Sequence, residues 1–485
     1  MDKPTRTGPT SAGFLQHARE EPRKRPVAER VADFKEVEQA LSPEALQVQA
    51  CRCMDCGIPY CHAFGCPLAN RIPDFSEMVH RGQWRRALDL LHATNNFPEI
   101  TGRICPAPCE AACSLSINDK AVTIRQIELE IAERGWREGW IRAEPALRRT
   151  GRRAAIIGSG PAGLAAAQPL ARAGHDVVVF EKDARPGGIL RYGIPDFKLE
   201  KGVLDRRLDQ MRDEGVTFET GVEVGADVSL RYLQRKFDAI GITAGARVPR
   251  DLTIPGRGLD GIRFAMPYLA QQNRRNAGEA IPHAEEIFAK DKDVIVLGGG
   301  DTGADCVGTA RRQGARSITQ IELLPEPPAA RPLENPWPTW PTILRTSSSH
   351  EEGCTRLWSI LTKEFLGRDV RVRGLRCVKI EWSSPDAAGR RTFKEVPGSE
   401  FALKADLVLL ALGFVHVEHG PIVEELGLKV DDRGNFVVGP DFMTNVEGIF
   451  AAGDSVAGAS LVVRTIAQGR QMAAAVDLFL RQPLP

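Results

Sequence analysis

The stretch RRAAIIGSGPAGLAAAQPLARAGHDVVVFEKDARPGG, residues 152–188, decides the fold class. A short apolar run, a glycine-rich turn, an alanine-rich segment and a second apolar run follow one another, which is the pattern of a strand–helix–strand unit. Glycines in the turn permit a tight bend, close approach of the backbone to a pyrophosphate, and close packing of helix on strand. They are Gly158, Gly160 and Gly163. Glu181 ends the second run, about twenty residues on, where such folds bind ribose hydroxyls.

A second segment of the same plan, KDVIVLGGGDTGADCVGTARRQGARSITQIELLP, occupies residues 292–325. Its fingerprint, GGGDTG, has the same context of strand, turn and helix. The candidate nucleotide-binding residues there are Gly298, Gly300, Asp301, Thr302 and Gly303. Apolar runs ending in small-residue turns at 237–246 and 405–414 extend the repeat, and the tail adds a strand, a Gly-Asp turn and a helix. We therefore expect an α/β protein with two related dinucleotide folds, the second inserted in the first.

Two dinucleotide folds in one chain indicate a flavin and a nicotinamide nucleotide, because hydride transfer needs two stacked rings and each phosphate chain needs its own helix N-terminus. Glu322 follows the second strand of the second fold, and an acid at this point favours the free 2′-hydroxyl of NADH. Arg311 and Arg312 in the preceding helix could reach the 2′-phosphate of NADPH, so both nucleotides stay open. A solvated strand end without a ligand is the remaining interpretation of Glu322.

Cysteines cluster near the start of the chain. Eight of the eleven fall in its first quarter, in CRCMDCGIPYCHAFGC at 51–66 and CPAPCEAAC at 105–113. In a reducing compartment such clusters indicate metal ligands or redox groups rather than disulfides. Zinc would use four thiolates, but a second zinc would need a histidine pair that is not evident here. Iron–sulfur clusters accept these spacings and could take single electrons from a flavin, so they are favoured, with zinc or unligated thiols as alternatives.

Two further segments have a recognisable character. The region up to about residue 145 lacks strand-like runs of Val and Ile, so we expect helices, one of them beginning at the Ser-Pro-Glu sequence 42–44. Residues 324–353 are too proline-rich for a regular element, and loops of this length are usually functional or disordered. We expect a surface flap or a packing anchor there, with a docking surface at Trp337 and Trp340 as the alternative.

Composition excludes several classes of protein. The 485 residues predict about two to four domains. A net charge of +1 gives no electrostatic footprint for nucleic acid or an anionic membrane. Apolar runs such as LVLLALGFV from Leu407 are far shorter than the roughly 18 residues of a membrane span. The N-terminal sequence MDKPTRTGPTSAGFLQHAREEPRKRP has no apolar run typical of a secretory leader, so we expect a cytoplasmic protein.

Several motifs occur together over nearly the whole chain: CMDCGIPYCHAFGCPLANRIPDF, NNFPEITGRICPAPCEAAC, VTIRQIE, GSGPAG, RPGGILRYGIPDFKL, GGGDTGADC and AAGDS. With them the chain resembles the small (beta) subunit of glutamate synthase, a module also found in dihydropyrimidine dehydrogenase. The resemblance implies a helical domain with two 4Fe–4S clusters at 1–145 and an FAD domain interrupted by an NAD(P)H domain. The implied limits are 146–288 and 415–485 for the FAD domain and 289–414 for the NAD(P)H domain.

The resemblance also implies two sets of cluster ligands that interleave between the cysteine groups. One set is Cys53, Cys56, Cys61 and Cys113, and the other contains Cys66, Cys105 and Cys109. An oxygen from the segment VTIRQIE would supply the eighth ligand, and we expect Glu128 to do so, with Gln126 as the alternative. For the flavin, the implied further contacts are Gly188, Leu190, Arg191, Gly453, Asp454 and Val462.

The implied activity is NAD(P)H oxidation at FAD, with single electrons passing through the clusters to a large (alpha) subunit that makes glutamate from glutamine and 2-oxoglutarate. We therefore expect a hetero-oligomer, and no side chain stands out as a required acid or base. Because the chain has no cysteine before Cys51, we expect the amidotransferase step on the partner. A ferredoxin-linked or bifurcating oxidoreductase built on the same module is the alternative enzyme, and a non-catalytic scaffold with structural zinc is the alternative from another class.

Overall fold

A computed structural model of the chain describes residues 13–386 and 389–482. No helix within these ranges is both long and apolar enough to cross a membrane. The prediction about a secretory leader falls partly on residues 1–12, which lie outside the described ranges.

The first region is helical, as predicted. Its helices are α1 (Gly13–Gln16), α2 (Val27–Arg30), α3 (Pro43–Ala50), α4 (Ile72–His80), α5 (Trp84–His92), α6 (Pro98–Ile104), α7 (Pro108–Ala111) and α8 (Ile124–Arg137), and a short antiparallel pair joins β1 (Arg23–Lys24) to β2 (Glu38–Gln39). Helix α3 begins where the Ser-Pro-Glu sequence predicts. The Oγ of Ser42 accepts a hydrogen bond from the amide of Ala45 at 3.1 Å, and Pro43 takes the first helical position, where no amide hydrogen is needed.

The first dinucleotide fold is built on a parallel sheet. In chain order its elements are β3 (Arg153–Ile157), α9 (Pro161–Arg172), β4 (Asp176–Glu181), α10 (Ile189–Tyr192), α11 (Lys201–Asp213), β5 (Val216–Thr220), α12 (Leu230–Lys236) and β6 (Ala239–Ile242). Strands β3 and β4 are apolar and buried almost throughout because other parts of the chain pack on both faces of the sheet. The fingerprint turn therefore lies at the carboxyl edge of the central strand, where open α/β sheets bind their ligands.

The second dinucleotide fold follows. Its elements are β7 (Ile262–Phe264), α13 (Ala265–Asn276), β8 (Asp293–Leu297), α14 (Asp301–Arg312), β9 (Ser317–Ile321), α15 (Ser348–Glu351), β10 (Thr355–Leu357), β11 (Ile360–Arg368), β12 (Arg371–Trp382), β13 (Phe393–Glu395), β14 (Phe401–Lys404) and β15 (Leu407–Leu410). Strands β11, β12, β13 and β14 form a separate antiparallel sheet beside the parallel one.

The chain then returns to the first fold through α16 (Pro421–Glu424), β16 (Ile449–Ala451), α17 (Asp454–Ala457) and α18 (Val462–Leu480). The first sheet has the order β16-β6-β3-β4-β5 and the second has the order β7-β15-β8-β9-β10, with every pair parallel. Fingerprint strands β3 and β8 thus hold equivalent central places. The prediction of two related folds, one inserted in the other, is confirmed.

One strand bears on the domain limits. Strand β7 lies before residue 289 in sequence, yet it pairs with β15 of the second sheet. Because β7 belongs to the second sheet, the chain passes from the first sheet to the second before residue 262, rather than at 288. The limits drawn from the sequence otherwise stay a prediction.

The helical region and the first dinucleotide fold share one continuous apolar core. Ile127 and Ile131 of α8 belong to the same buried cluster as Leu164 and Ala167 of α9. The second fold has its own clusters on either face of its sheet. The helical region is therefore packed on the first fold as firmly as the elements of a single domain are packed on one another.

Candidate functional site

Two glycine turns hold the same backbone geometry at the edges of the two parallel sheets. Gly158 and Gly298 have φ angles of +96° and +120°, which only glycine adopts without strain. A Cβ on Gly163 would lie 2.0 Å from the carbonyl oxygen of Gly158, and a Cβ on Gly303 would lie 2.2 Å from that of Gly298. Both third glycines are therefore required for the close packing of helix on strand.

The middle glycines of the two turns face open space. A Cβ on Gly160 or on Gly300 would meet no atom of the chain within 4 Å. Each residue immediately precedes a helix, α9 or α14, whose first amides have no side-chain cap. These uncapped helix N-termini, with bare backbone in front of them, are suited to a pyrophosphate. Asp301 and Thr302 lie in the first turn of α14, on the wall of the same space.

A carboxylate stands beside each turn, held in the same way. Glu181 accepts a hydrogen bond from the amide of Ser159 at 3.0 Å, and Glu322 accepts one from the amide of Gly299 at 2.6 Å. The second oxygen of each accepts from the amide two residues further along the chain, at 2.9 Å and 3.1 Å respectively. Glu322 is therefore a fixed group rather than a loose strand end, and it is the structural equivalent of Glu181.

A single cleft of about 2010 Å³ joins the two turns. Typical ligand pockets measure about 300–1,000 Å³, so this cleft is large enough for two dinucleotides. Its walls include both middle glycines, both carboxylates and the start of α18, and it extends to Cys105 and Arg125 of the helical region. The structure thus places the two predicted nucleotide sites and part of the cysteine region around one space.

Some of the predicted flavin contacts line this cleft and some do not. Gly188, Asp454 and Val462 are on its wall. Leu190 is fully buried in the apolar core, and the guanidinium of Arg191 binds the carbonyl oxygen of Pro186 and the carboxylate of Asp205. The short helix α10 turns these two side chains away from the cleft and places its neighbour Ile189 on the wall.

The tail closes the cleft with a helix end. Gly453, with a φ of +78°, precedes Asp454, whose carboxylate accepts hydrogen bonds from the amide and hydroxyl of Ser460 at 3.1 Å and 2.8 Å. Burial raises the pKa of Asp454 to about 6. The uncapped N-terminus of α18 then begins at Val462 on the cleft wall, where its dipole favours negative charge.

The cysteines of the first ligand set come together. Cys53, Cys56, Cys61 and Cys113 all line one small cavity. Burial, with smaller contributions from Cys113 and Cys56, raises the pKa of Cys53 to about 12. Thiols in such a setting ionise when a metal or cluster supplies the compensating positive charge. These four residues could hold a cluster.

The three cysteines of the second predicted set gather around a carboxyl group. Gly65 lets the two cysteine segments meet, because a Cβ there would lie 2.7 Å from the Cα of Cys109. Burial and the nearby Glu128 raise the pKa of Cys66 to about 12, and the same two causes raise that of Cys109. Burial, with a smaller contribution from the same carboxylate, also raises the pKa of Cys105 to about 12.

Glu128 rather than Gln126 faces this second group. Glu128 is 6% exposed, burial raises its pKa to about 7, and it accepts a hydrogen bond from Asn70 at 3.0 Å. The side-chain amide of Gln126 instead donates to Glu38 at 3.1 Å. Three thiols and one carboxyl group could therefore hold a second cluster.

A single ion has less support than a cluster. Across residues 13–386 and 389–482, no three His, Cys, Asp or Glu side chains lie close enough together to hold one metal ion. The ligands of a four-iron cluster each bind a different iron, so they surround a space rather than a point. Cys53, Cys56, Cys61 and Cys113 surround such a space.

Cysteines outside the two sets have ordinary surroundings. The thiol of Cys51 donates to the carbonyl oxygen of Val48 at 3.0 Å. Cys306 and Cys377 are buried within a helix and a strand, and Cys354 is half-buried beside the core of the second fold.

The arginines considered for a 2′-phosphate are not at the nucleotide carboxylate. The guanidinium of Arg312 is fully buried, pairs with Glu352 at 2.5 Å and lies over the ring of Phe197 at 3.9 Å. Arg311 does not line the cleft. Neither residue is placed for the role that the sequence allowed them.

One charged pair in the cleft was missed by the sequence analysis. Lys198 of the first fold binds Asp305 of α14 at 2.5 Å, and both residues line the cleft between the two turns. The only signal was the polar pattern in IPDFKL and GADC, which does not show that two segments so far apart in sequence would meet.

The proline-rich loop is a packing anchor, one of the two expected alternatives. Trp337 lies against Tyr60 of the helical region, with ring centroids 4.7 Å apart. Within the loop, Asn335 donates to Thr339 and to the carbonyl oxygen of Trp340. The loop therefore links the second fold to the segment that carries Cys56 and Cys61.

Comparison with known families divides the chain in the same way. The model described as dihydropyrimidine dehydrogenase domain II, 4Fe-4S cluster, matches residues 30–140, and that of pyridine nucleotide-disulphide oxidoreductases matches residues 152–473. Among solved structures, FprA from Mycobacterium tuberculosis in complex with NADPH has a TM-score of 0.53 at 20% identity, covering 68% of this chain and 85% of that one. This similarity concerns the fold.

Curated relatives match over nearly the full length. The glutamate synthase (NADPH) small chain of Mycobacterium tuberculosis is 52% identical over 96% of this chain and 95% of its own. That of Bacillus subtilis is 42% identical over 99% of both. The glutamate synthase (NADH) of Schizosaccharomyces pombe is 47% identical over 96% of this chain, which corresponds to 22% of that longer protein.

Proposed function

The chain belongs to the family of glutamate synthase small chains, and from this premise we propose that it oxidises NAD(P)H at FAD and delivers the electrons, through iron–sulfur clusters, to a large subunit that makes glutamate from glutamine and 2-oxoglutarate. The observation that carries the proposal is the single cleft. It holds two equivalent glycine turns with their carboxylates and reaches Cys105, a member of the second thiol group.

We assign FAD to the first turn. Gly158, Gly160 and α9 would hold the pyrophosphate, Glu181 the ribose, and Asp454 the chain that leads to the ring. The fit rests on open space at Gly160 and on the uncapped helix behind it. FAD supplies hydride acceptance and single-electron release when bound. The chain contributes the N-terminus of α18, whose dipole favours negative charge at this end of the cleft.

We assign the nicotinamide nucleotide to the second turn and propose NADH as the preferred form. Glu322 is fixed by two backbone amides and suits a pair of ribose hydroxyls, whereas a 2′-phosphate would face its negative charge. Arg312 is engaged with Glu352. The chain matches relatives named glutamate synthase (NADPH) and a relative named glutamate synthase (NADH). The proposed preference therefore rests on this site alone.

We propose two 4Fe–4S clusters. Cys53, Cys56, Cys61 and Cys113 would hold one, and Cys66, Cys105, Cys109 and Glu128 the other. Each set draws on separate segments of the chain, and its side chains are buried or, for Cys53, Cys56 and Cys105, partly buried. Cys105 lines the cleft, which supports a position of the second set nearer to the nucleotides.

The first set lies next to exposed apolar side chains. Ile58 and Phe64 come from the segment of Cys56 and Cys61, and Ile117 follows Cys113; they are 71%, 56% and 56% exposed. Apolar side chains exposed together mark protein contacts more often than free surface. We propose that the large subunit docks here. The change Ile58→Asp should abolish glutamine-dependent NADH oxidation and leave NADH–ferricyanide activity intact, whereas equal loss of both would contradict this surface.

An anaerobic assay of the purified full chain tests the whole proposal. The chain should carry FAD and iron, should reduce ferricyanide with NADH, and should make glutamate only when the large subunit is added. A chain that carries flavin but reduces a ferredoxin in place of the large subunit would instead establish the ferredoxin-linked alternative.

A further inference from the structure

Residues 13–40, the part of the helical region that precedes α3, contact the second dinucleotide fold. We call this segment the arm. Its key residue is Arg30, the last residue of α2, which is only 2% exposed although it lies in a short surface helix. An arginine so deeply buried requires partners for its charge.

Apart from the carbonyl oxygen of Arg25 on the arm itself, at 3.4 Å, the partners of Arg30 belong to the second fold. Its Nε pairs with Glu352 at 2.8 Å, and one Nη donates to the carbonyl oxygen of Ser348 at 2.9 Å and to Glu351 at 3.1 Å. On the same arm, Lys24 also binds Glu351, at 2.6 Å. These contacts fall on α15 and on the residue that follows it.

Helix α15 is joined to the nicotinamide turn by hydrogen bonds. His350 within it contacts the side-chain oxygen of Gln320 at 2.8 Å, and the side-chain amide of Gln320 donates to the carbonyl oxygen of Gly298 at 2.8 Å. Ser347 and Ser348, at the start of the helix, line the cleft themselves. A four-residue helix has little stability of its own, so its position depends on such contacts.

A second connection runs beside the first. Glu352, fully buried, binds Arg312 of α14 as well as Arg30. Arg312 lies over Phe197, whose carbonyl oxygen accepts a hydrogen bond from the amide of Val37 on the arm at 3.1 Å. The arm, the first fold and the helix that begins at the nicotinamide turn therefore meet at one buried set of charges.

We propose that Arg30 is a positioning residue for the nicotinamide nucleotide, by which the arm of the iron–sulfur region holds α15 and the Gly298 turn in the binding conformation. The inference rests on the proposed assignment of a nicotinamide nucleotide to that turn. Without the guanidinium, the carbonyl oxygen of Ser348 keeps only the amide of Glu352 as a donor, and the carboxylate of Glu352 keeps only Arg312. The wall formed by residues 347 and 348 then becomes free to move, and nucleotide binding must restore its order.

The test uses the anaerobically purified full chain with its cofactors. Arg30→Met keeps the apolar stem and removes the charge. It should raise the KM for NADH at least about five-fold, the lower end of typical coupling between sites, with kcat towards ferricyanide unchanged within about two-fold. Calorimetric titration with NAD⁺ should show the same loss of affinity, while flavin content and the visible spectrum stay as in the wild type.

Arg25→Met is the matched control. Arg25 lies on the same arm and pairs with Asp33 of the arm at 2.8 Å and 2.7 Å, without touching the second fold. Its KM and NAD⁺ affinity should stay at the wild-type values. If Arg30→Met does not fold, Arg30→Lys keeps the charge with fewer donors, and it should show a smaller rise in KM.

Three outcomes overturn the inference. The first is an unchanged nucleotide affinity in folded Arg30→Met or Arg30→Lys. The second is a loss of affinity in Arg25→Met equal to that in Arg30→Met. The third is a parallel loss of flavin and kcat in Arg30→Met, which would mark Arg30 as merely structural. If the wild-type chain oxidises neither NADH nor NADPH, the proposed function itself fails. The two failures are therefore distinguishable.

Discussion

The middle glycine of each turn offers a sharp test of which nucleotide goes where. Gly160 and Gly300 have φ angles of −65° and −79°, which alanine adopts freely, and an added Cβ would meet no atom of the chain within 4 Å. Replacing either glycine by alanine should therefore leave folding intact. It could also stabilise the folded state by about 0.4–1 kcal/mol, because alanine lowers the conformational entropy of the unfolded chain. The new methyl group would instead occupy the space proposed for a pyrophosphate.

The size of the effect follows from that overlap. Forcing one extra methyl group into a filled site costs about 1–3 kcal/mol. Because about 1.4 kcal/mol corresponds to a factor of ten, affinity should fall about 5- to 150-fold. Gly300→Ala should raise the KM for NADH by this factor with full flavin content. Gly160→Ala should lose FAD on gel filtration, while its iron content is unchanged.

Thermal unfolding, flavin absorbance and NADH kinetics on the two variants complete the experiment. The third glycines are the contrast, since Gly163→Ala would place a Cβ 2.0 Å from a backbone oxygen and should unfold at a lower temperature. If Gly160→Ala keeps its FAD while Gly300→Ala loses it, the assignment of nucleotides to turns is reversed. If neither variant alters binding, the pyrophosphates do not lie at these turns.

Three further substitutions test the rest of the site. Cys56→Ser should lose about four irons per chain and keep FAD, while Cys51→Ser should lose none; iron analysis decides, and equal iron in both variants would remove Cys56 from the ligands. Glu128→Ala should alter the EPR signal of one cluster, and Gln126→Ala should not; an unaltered signal in Glu128→Ala would place the eighth ligand elsewhere. Glu322→Arg removes the carboxylate proposed to bind the ribose hydroxyls of NADH, and each hydrogen bond to such a charged group is worth about 1.5–3 kcal/mol. The variant should therefore raise the KM for NADH at least about ten-fold and shift the ratio of kcat/KM for the two nucleotides towards NADPH. An unchanged ratio would show that the carboxylate does not discriminate between them.

The parts of the fold that depend on local pattern were predicted from the sequence. Each glycine fingerprint has its strand, helix and acid within about thirty residues, so neighbouring residues determine the unit. The helix start at Ser42 is equally local, since its hydroxyl caps an amide three residues away. The equivalence of Glu322 and Glu181 followed from the repeat, although only the structure shows that each binds two backbone amides at equivalent positions of its own fold.

Long-range contacts were beyond the sequence analysis. Strand β7 precedes the second fingerprint, yet it joins that sheet, because parallel pairing is set by packing rather than by proximity along the chain. Arg30 and Glu352 are more than 300 residues apart, and no periodicity connects them. Arg191 was expected at the flavin, but helix α10 turns its side chain to Asp205, a rotation that a motif cannot specify.

The measurement that tests the central claim most directly is a glutamate assay on the complex from the native host. The chain would be affinity-purified without oxygen, and oxidation of NADH and of NADPH would be followed with glutamine and 2-oxoglutarate, separately and together. We expect a large subunit to co-purify and oxidation to require both substrates, with glutamate as the product. A chain that purifies without such a partner and passes electrons only to ferredoxin or artificial acceptors would contradict the assigned function.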